Sequence, residues 1–390
     1  MKNKTVTAVG IDVSKGCSTV AVCRPGGELV LKPFRVNHNA SELKSLVKIL
    51  KKLGGDIRIV MEHTGAYWRS IALPLKQAGF FVSVVNAILI RNFNHNSLRK
   101  IKTDKADAVK IANYALSFWT DLRELADEDE TRQLLKTQSR LSDRLQRVSV
   151  EQKNGLISLI DQTFPGINEI LPSNYRTISG HFKWIDFTLR FWHKDCVTAY
   201  SRTAFHETYR KWCKNTGYRF EPKQADDLYD AAQNAIATLP KNNSTKILIT
   251  QAVKSLNAVY EALNSIRQEM LRLASSLPEY EVVADMQGVG AITGPQLIAE
   301  IGDVRRFKNK NALVAFAGVD APPCQSGSFE AQNRHISKRG SPHLRKVLFL
   351  IASALIQQKN PNDPVYQFMD KKRSGASIIF AIPRLEQPNF

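Results

Sequence analysis

Three short runs rich in β-branched residues open the chain before any helical pattern begins, and they restrict the fold more than any other feature. Thr5 to Asp12 (TVTAVGID) and Ser18 to Arg24 (STVAVCR) read as strands, and Pro25-Gly26-Gly27 supplies a turn into a third, Leu29 to Val36. These three consecutive strands are expected to be antiparallel. Asn39 and Ser41 then open an amphipathic helix with Leu43, Leu46, Val47 and Leu50 at helical spacing, ended at Gly54-Gly55. A buried strand over Ile57 to Glu62, a helix from about Tyr67 to Gln77, a strand over Phe80 to Val85 and two further helices complete the order βββαβαβαα.

That order describes an RNase H-like α/β sheet, and its topology gathers acids. Asp12 ends the first strand and Glu62 the fourth, while Asp104 and Asp107 stand three apart on a helix that Thr103 can cap, so both project from one face. Ligand sites form at strand ends of sheets with helices packed on them. Four hard oxygen donors brought together there suit Mg²⁺, which polarises a scissile phosphate and activates an attacking hydroxyl. Taken singly, the acids have plainer readings: Asp104 and Asp107 complement a helix dipole, and Asp12 beside Gly10 suits a turn. Glu62 resists such a reading. It follows Ile57, Ile59, Val60 and Met61, and a carboxylate ending a buried strand is costly unless metal or hydrogen bonds satisfy it.

Charge points to the partner. The 390 residues include 55 Lys plus Arg against 36 Asp plus Glu, a formal net charge of +19 that attracts polyanions. Residues 1–120 hold +12 of it, 121–280 only +2 and 281–390 +5, so the two ends are the candidate nucleic-acid faces. No uninterrupted apolar run of about 18 residues is present, so no membrane span is expected, and the N-terminus shows no secretion signal. Five scattered cysteines fit a reducing cytoplasm. His193, Cys196, His206 and Cys213 lack zinc-site spacing and read as core or surface residues.

Three domains are expected: an α/β catalytic domain over 1–120, a helical coiled-coil linker with an insertion over 121–280, and a mainly α domain over 281–390. In the middle, Leu134, Leu141, Leu145, Val148 and Leu159 mark a partial heptad seam. A cleaner one places Ile249, Leu256, Leu263 and Met270 at one position and Ala252, Val259, Ile266 and Leu273 at the other, bracketed by Pro240 and Pro278. Its partner is either the first helix or a neighbouring subunit. Residues 163–240, rich in aromatics, suggest no task. From Met286, MQGVGAITGPQLIAEIGDVRRF outlines a helix-hairpin-helix-like element whose backbone amides can hold a phosphate, with plain packing an equal reading of its glycines.

GIDVSK (Gly10 to Lys15), MEHTGAYW (Met61 to Trp68) and KTDKADA (Lys102 to Ala108) resemble the three signatures of the RuvC-like DEDD domain of IS110-family transposases. GVGAITG, AFAGVDAPPCQSG and ISKRGSPHLRK are similar to their C-terminal transposase domain. The resemblance covers about residues 5–120 and 281–370. It implies an insertion-sequence transposase and recombinase in which the serine before glycine, Ser326 here, is the nucleophile; spacing alone does not distinguish it from Ser328. It further implies a Mg²⁺ site of Asp12, Glu62, Asp104 and Asp107, a composite site completed between protomers of a dimer or tetramer, and a bridge RNA that selects donor and target DNA. Arg99, Lys100, Lys102, Lys105, Lys338, Arg339 and Arg345 are the candidate nucleic-acid contacts. The stretch from Ser374 departs from the basic helical tail expected of such a chain. Three alternatives remain open: a RuvC-like metal-dependent junction nuclease using water, a nucleic-acid-binding regulator with a decayed site, and an actin-like ATPase suggested by GIDVSK alone.

Overall fold

The computed structural model describes residues 5–63, 65–93, 103–126, 129–171, 182–321, 325–326, 329–330 and 335–375. The chain divides into two compact units, 1–127 and 128–390.

In the first unit, β1 (Val6–Ser14), β2 (Cys17–Arg24) and β3 (Glu28–Asn37) form an antiparallel meander, followed by α1 (Ala40–Leu53), β4 (Asp56–Glu62), α2 (Arg69–Gln77), β5 (Phe81–Val85), α3 (Ala87–Phe93) and α4 (Asp104–Ser117). The sheet order is β3-β2-β1-β4-β5, with β4 and β5 parallel to β1. This is the RNase H-like topology expected from the element order. Alternation along β1 and β4 sorts the side chains onto two faces. Val9, Ile11, Val13, Ile59 and Met61 join a cluster with Leu43, Leu46 and Leu50 of α1 and Ile71 and Leu75 of α2. Ala8 and Val60 face the other way, into a cluster with Ile111, Ala112 and Ala115 of α4. Covering both faces explains why these strands read as near-continuous apolar runs. Asn39 caps α1 by accepting the Glu42 N–H at 2.9 Å.

In the second unit, α5 (Glu130–Ile160) packs along α11 (Asn243–Ser275), with Asp129 and Asn242 as their N-caps. Between them lie α6 (Ile167–Ile170), α7 (Lys183–Arg190), α8 (Asp195–Thr198), α9 (Arg202–Thr216) and α10 (Pro222–Asn234). The insertion has a core of its own. Trp184, Phe187, Phe191, Phe205 and Tyr209 are fully or nearly fully buried against Leu156 and Ile160 of α5 and Ile249, Val253 and Leu256 of α11. Within it, His193 Nε2 lies 3.2 Å from the Leu239 carbonyl, His206 pairs with Asp226, Cys213 is buried and Cys196 is half-buried.

The second heptad seam finds its partner in α5: Ile249, Leu256, Leu263 and Met270 are all buried. The first seam is rotated from expectation. Leu134 and Leu141 are exposed, and α5 instead buries Leu135, Ser139, Ser142, Ser149, Leu156 and Ile160. The reason is size, since buried serines let neighbouring helices approach α5 closely and their polarity hides them from a search for apolar repeats. The remaining elements are α12 (Tyr280–Ala284), α13 (Thr293–Ile301), α14 (Lys310–Ala317), the two-residue strands β6 (Gln325–Ser326) and β7 (Phe329–Glu330), α15 (Pro342–Gln358) and α16 (Pro364–Gly375). A second cluster joins Leu135, Met270 and Leu273 to Leu297, Ile298, Leu344 and Val347. No described helix is long and apolar enough to cross a membrane.

Candidate active site

Strand register and one close helix contact assemble the acids. The last bonded partners of the parallel β1–β4 pair are Ile11 and Met61, so Asp12 and Glu62 lie side by side where that pairing ends. By alternation they share the face of Gly10 and Val60, opposite the cluster holding Ile11 and Met61. Asp12 is not the end of β1, as the sequence suggested. The tight turn at Lys15-Gly16 carries pairing with β2 out to Ser14 and Cys17, and Asp12 itself pairs with Thr19.

Helix α4 covers this face because Gly10 admits it. A Cβ at Gly10 would meet the Ala108 carbonyl oxygen at 2.1 Å and the Ala112 nitrogen at 2.3 Å. Thr103 Oγ1 accepts the Ala106 N–H at 3.2 Å and fixes the first turn, so α4 starts beside Asp12 and delivers Asp104 and Asp107 to it.

The electrostatics register this gathering. Burial, then the charges of Asp104, Asp107 and Glu62, push the Asp12 carboxyl up to about 6. Glu62 is also raised, by burial and then by Asp107. Lys110 Nζ donates to Asp107 Oδ1 at 2.9 Å and offsets part of the repulsion. Four carboxylates coupled through Asp12 are hard oxygen donors of the type a divalent cation takes. Among the described residues no three His, Cys, Asp or Glu side chains stand close enough to hold an ion, so the four acids form a coupled set, not a closed shell.

A pH signature follows. An acid whose folded pKa is raised stabilises the fold below its ordinary value near 3.8 and loses that contribution as pH climbs through about 6. Discounted for the solvent around a half-buried carboxyl, Asp12 accounts for roughly 1–2 kcal/mol of lost stability at neutral pH. Asp12→Asn is therefore expected to raise the thermal midpoint in EDTA at pH 7.5 and to change it little at pH 4.5, with Mg²⁺ stabilising the wild type only at the higher pH. A lower midpoint for Asp12→Asn at pH 7.5 without metal contradicts the electrostatic account.

Two contributors escaped the sequence reading. The sequence offers Gly10 as a turn neighbour, and the structure sets it against Ala108 and Ala112 of the small-residue stripe Ala108, Ala112 and Ala115 in a close helix contact. His38, following β3, bonds Ser18 Oγ at 2.8 Å and Ser70 Oγ at 2.7 Å, while Ser70 donates to the Tyr67 carbonyl. These bonds tie the segment after Glu62 to the sheet, and no sequence pattern announced them.

In the second unit, Ser326 lies in β6, opposite Phe329 of β7. Of the candidate nucleic-acid contacts, Lys105, Lys338 and Arg339 are exposed, whereas Arg345 directs Nη1 to the Ala317 carbonyl at 2.9 Å. Arg99, Lys100 and Lys102 lie outside the described residues. In the GVG turn, Gly288 is wedged against α15, where a Cβ would meet Leu355 Cγ at 2.6 Å, and the Gly290 N–H donates to Thr293 Oγ1 at 2.9 Å. Packing accounts for Gly288, and a local turn bond occupies the Gly290 N–H. Polar contacts key α13 and α15 to α5: Asp143 accepts Lys346 Nζ at 2.9 Å and Gln296 Nε2 at 3.3 Å, and buried Glu300 faces Arg140 and Ser341 at 3.4 Å each.

The chain is similar to known proteins along most of its length. A transposase family model of the IS110 DEDD type matches residues 9–165, and one described as transposase IS116/IS110/IS902 family matches residues 280–367. The "insertion element IS110 uncharacterized 43.6 kDa protein" of Streptomyces coelicolor is 23% identical over 97% of this chain and 90% of its own length. The "transposase for insertion sequence element IS1111A" of Coxiella burnetii is 33% identical over 26% of this chain and 28% of its own length. The Thermus thermophilus RuvC structure aligns with 30% of this chain and 99% of its own, at 13% identity and a TM-score of 0.24. With IS110-type transposase models matched at both ends of the chain and relatives spanning nearly the whole length, this chain belongs to the IS110 family of transposases.

Proposed function

We propose that this transposase cuts and rejoins DNA through Ser326, with Asp12, Glu62, Asp104 and Asp107 holding Mg²⁺, as a dimer or tetramer directed to its donor and target DNA by a bridge RNA. The carrying observation is that Gly10 and α4 bring four carboxylates near enough to raise Asp12. Bound there, Mg²⁺ supplies Lewis-acid stabilisation of charge developing on the phosphate. Ser326 Oγ attacks phosphorus and loses its proton to solvent, while the bond to the leaving deoxyribose oxygen breaks and that oxygen takes up a proton. The resulting phosphoserine ester conserves the phosphodiester bond energy until a hydroxyl of another strand displaces the serine. The excess of basic over acidic residues supports polyanionic partners.

The test is to trap the protein–DNA ester under denaturing conditions and to sequence the RNA that copurifies with the full-length chain. One dominant structured species is expected, and a random population removes the guided mechanism. The same four acids would equally serve a junction nuclease attacking with water, and the adduct separates the two.

Lys338 offers a further check. It is held at φ 53° with its N–H on the Gly318 carbonyl and its side chain exposed. A left-handed lysine carries on the order of 1 kcal/mol of strain that glycine avoids, so stability does not explain the choice of residue. Lys338→Gly is expected to leave the thermal midpoint unchanged or higher, and to weaken duplex DNA binding by roughly 3–10-fold with a salt slope shallower by about one. Unchanged affinity and slope would remove Lys338 from the interface.

A further inference from the structure

The loop that carries Ser326 is closed at its base by a short clasp. On one side runs Phe316 to Asp320, on the other Ser337 to Ser341, joined by three main-chain bonds. The Ser337 N–H donates to the Asp320 carbonyl at 2.8 Å, the Lys338 N–H to Gly318 at 3.0 Å and the Ser341 N–H to Phe316 at 2.6 Å. A fourth bond is made by side chains, Ser337 Oγ donating to Asp320 Oδ1 at 2.5 Å. The two segments touch backbone to backbone, since a Cβ at Gly340 would meet the Phe316 carbonyl oxygen at 2.1 Å and the Gly318 nitrogen at 2.4 Å.

The clasp is fixed to rigid elements at both ends. Gly318 ends α14, and Arg345 of α15 holds the Ala317 carbonyl. Ser341 caps α15 by accepting the Leu344 N–H at 3.2 Å. The two ends of the stretch that includes β6 and β7, at Asp320 and Ser337, are therefore held together against the helical framework.

We propose that Asp320 and Ser337 are positioning residues for the Ser326 nucleophile, their side-chain bond locking the base of its loop so that the hydroxyl is presented in a fixed place. This rests on Ser326 being the nucleophile. A loop pinned only by main-chain bonds at its base retains freedom to pivot, and an error of about 1 Å at a reacting atom slows reaction roughly 10²-fold. The contribution of one half-buried hydrogen bond to overall stability is far smaller in its consequences, because the fold survives its loss. Asp320 need not be charged for this role, since it only accepts a bond from Ser337.

The experiment measures, for the full-length chain with its copurified RNA, the rate of covalent adduct formation on saturating DNA carrying the element's ends, alongside DNA affinity and thermal midpoint. Asp320→Ala, Ser337→Ala and the double variant are each expected to slow adduct formation by roughly 30–100-fold, the double no worse than the worse single, with affinity within about threefold. Asp320→Asn and Ser337→Thr keep acceptor and donor and are expected to retain the rate within about threefold. Alanine variants that react at the wild-type rate, an Asp320→Asn as slow as Asp320→Ala, or affinity falling in step with rate would each overturn the proposal. A Ser326→Ala control separates the failures. If it still forms the adduct, the nucleophile assignment fails and the clasp with it; if it forms none while the alanine variants of the clasp react normally, only the clasp fails.

Discussion

Ser326→Ala is expected to yield no covalent protein–DNA adduct and to reduce strand exchange by at least about 10³-fold, while leaving DNA binding intact. The magnitude follows from the role: removing a nucleophile commonly removes 10³-fold or more of rate, because the residual site offers only binding and charge stabilisation. Asp12→Asn should abolish adduct formation and strand cleavage to a similar degree, since it withdraws one of four charges from the set proposed to hold the metal while changing little in shape. The two variants together discriminate mechanisms. If Ser326→Ala cuts DNA as fast as the wild type and Asp12→Asn does not, water is the attacking group and the protein is a junction nuclease. If both are silent and the wild type alone gives an adduct on a denaturing gel, the serine mechanism holds.

The second large effect comes from a residue with no side chain. Gly10→Ala places a methyl where the Ala108 and Ala112 backbone already stands, so α4 must move outward. Overpacking of this kind typically destabilises by about 1–3 kcal/mol. The loss of activity should exceed the loss of fold, because α4 carries Asp104 and Asp107, and a shift of about 1 Å in their position lowers the rate roughly 10²-fold in the protein that remains folded. Trimming Ala108 or Ala112 to glycine should not rescue it, since the atoms met are main chain. Thermal melts and cleavage per folded molecule check this. A Gly10→Ala protein with the wild-type midpoint and rate would show that the close contact does not place the acids.

Much of the first unit was legible because its physics is local. β-branched runs, the Asn39 cap and the Pro-Gly-Gly turn each specify their own neighbourhood, and the order βββαβαβαα then leaves few ways to form a sheet. The acids were legible as types, but their assembly was not. That Asp12 lies inside β1 follows from how far a hairpin pairs past its turn, and that α4 lies on Gly10 is a contact between residues about a hundred positions apart. The seam on α5 was misplaced for a related reason: its inner face is built partly of serines, whose burial reflects their neighbours and not their polarity. The assignment of Ser326 rests on family resemblance. Nothing in its spacing, and nothing in a two-residue strand, marks one hydroxyl over another.

The two clusters of the second unit are strung on one pair of helices, centred near Leu156 at one end and Leu135 at the other. Those positions are 21 residues apart on α5, roughly 30 Å along its axis. Selection can therefore rewrite the insertion's surface, lengthen it or exchange its aromatic filling while the core around α13 and α15 stays in register. Such a layout lets one extremity of the helix pair diversify without disturbing the packing at the other.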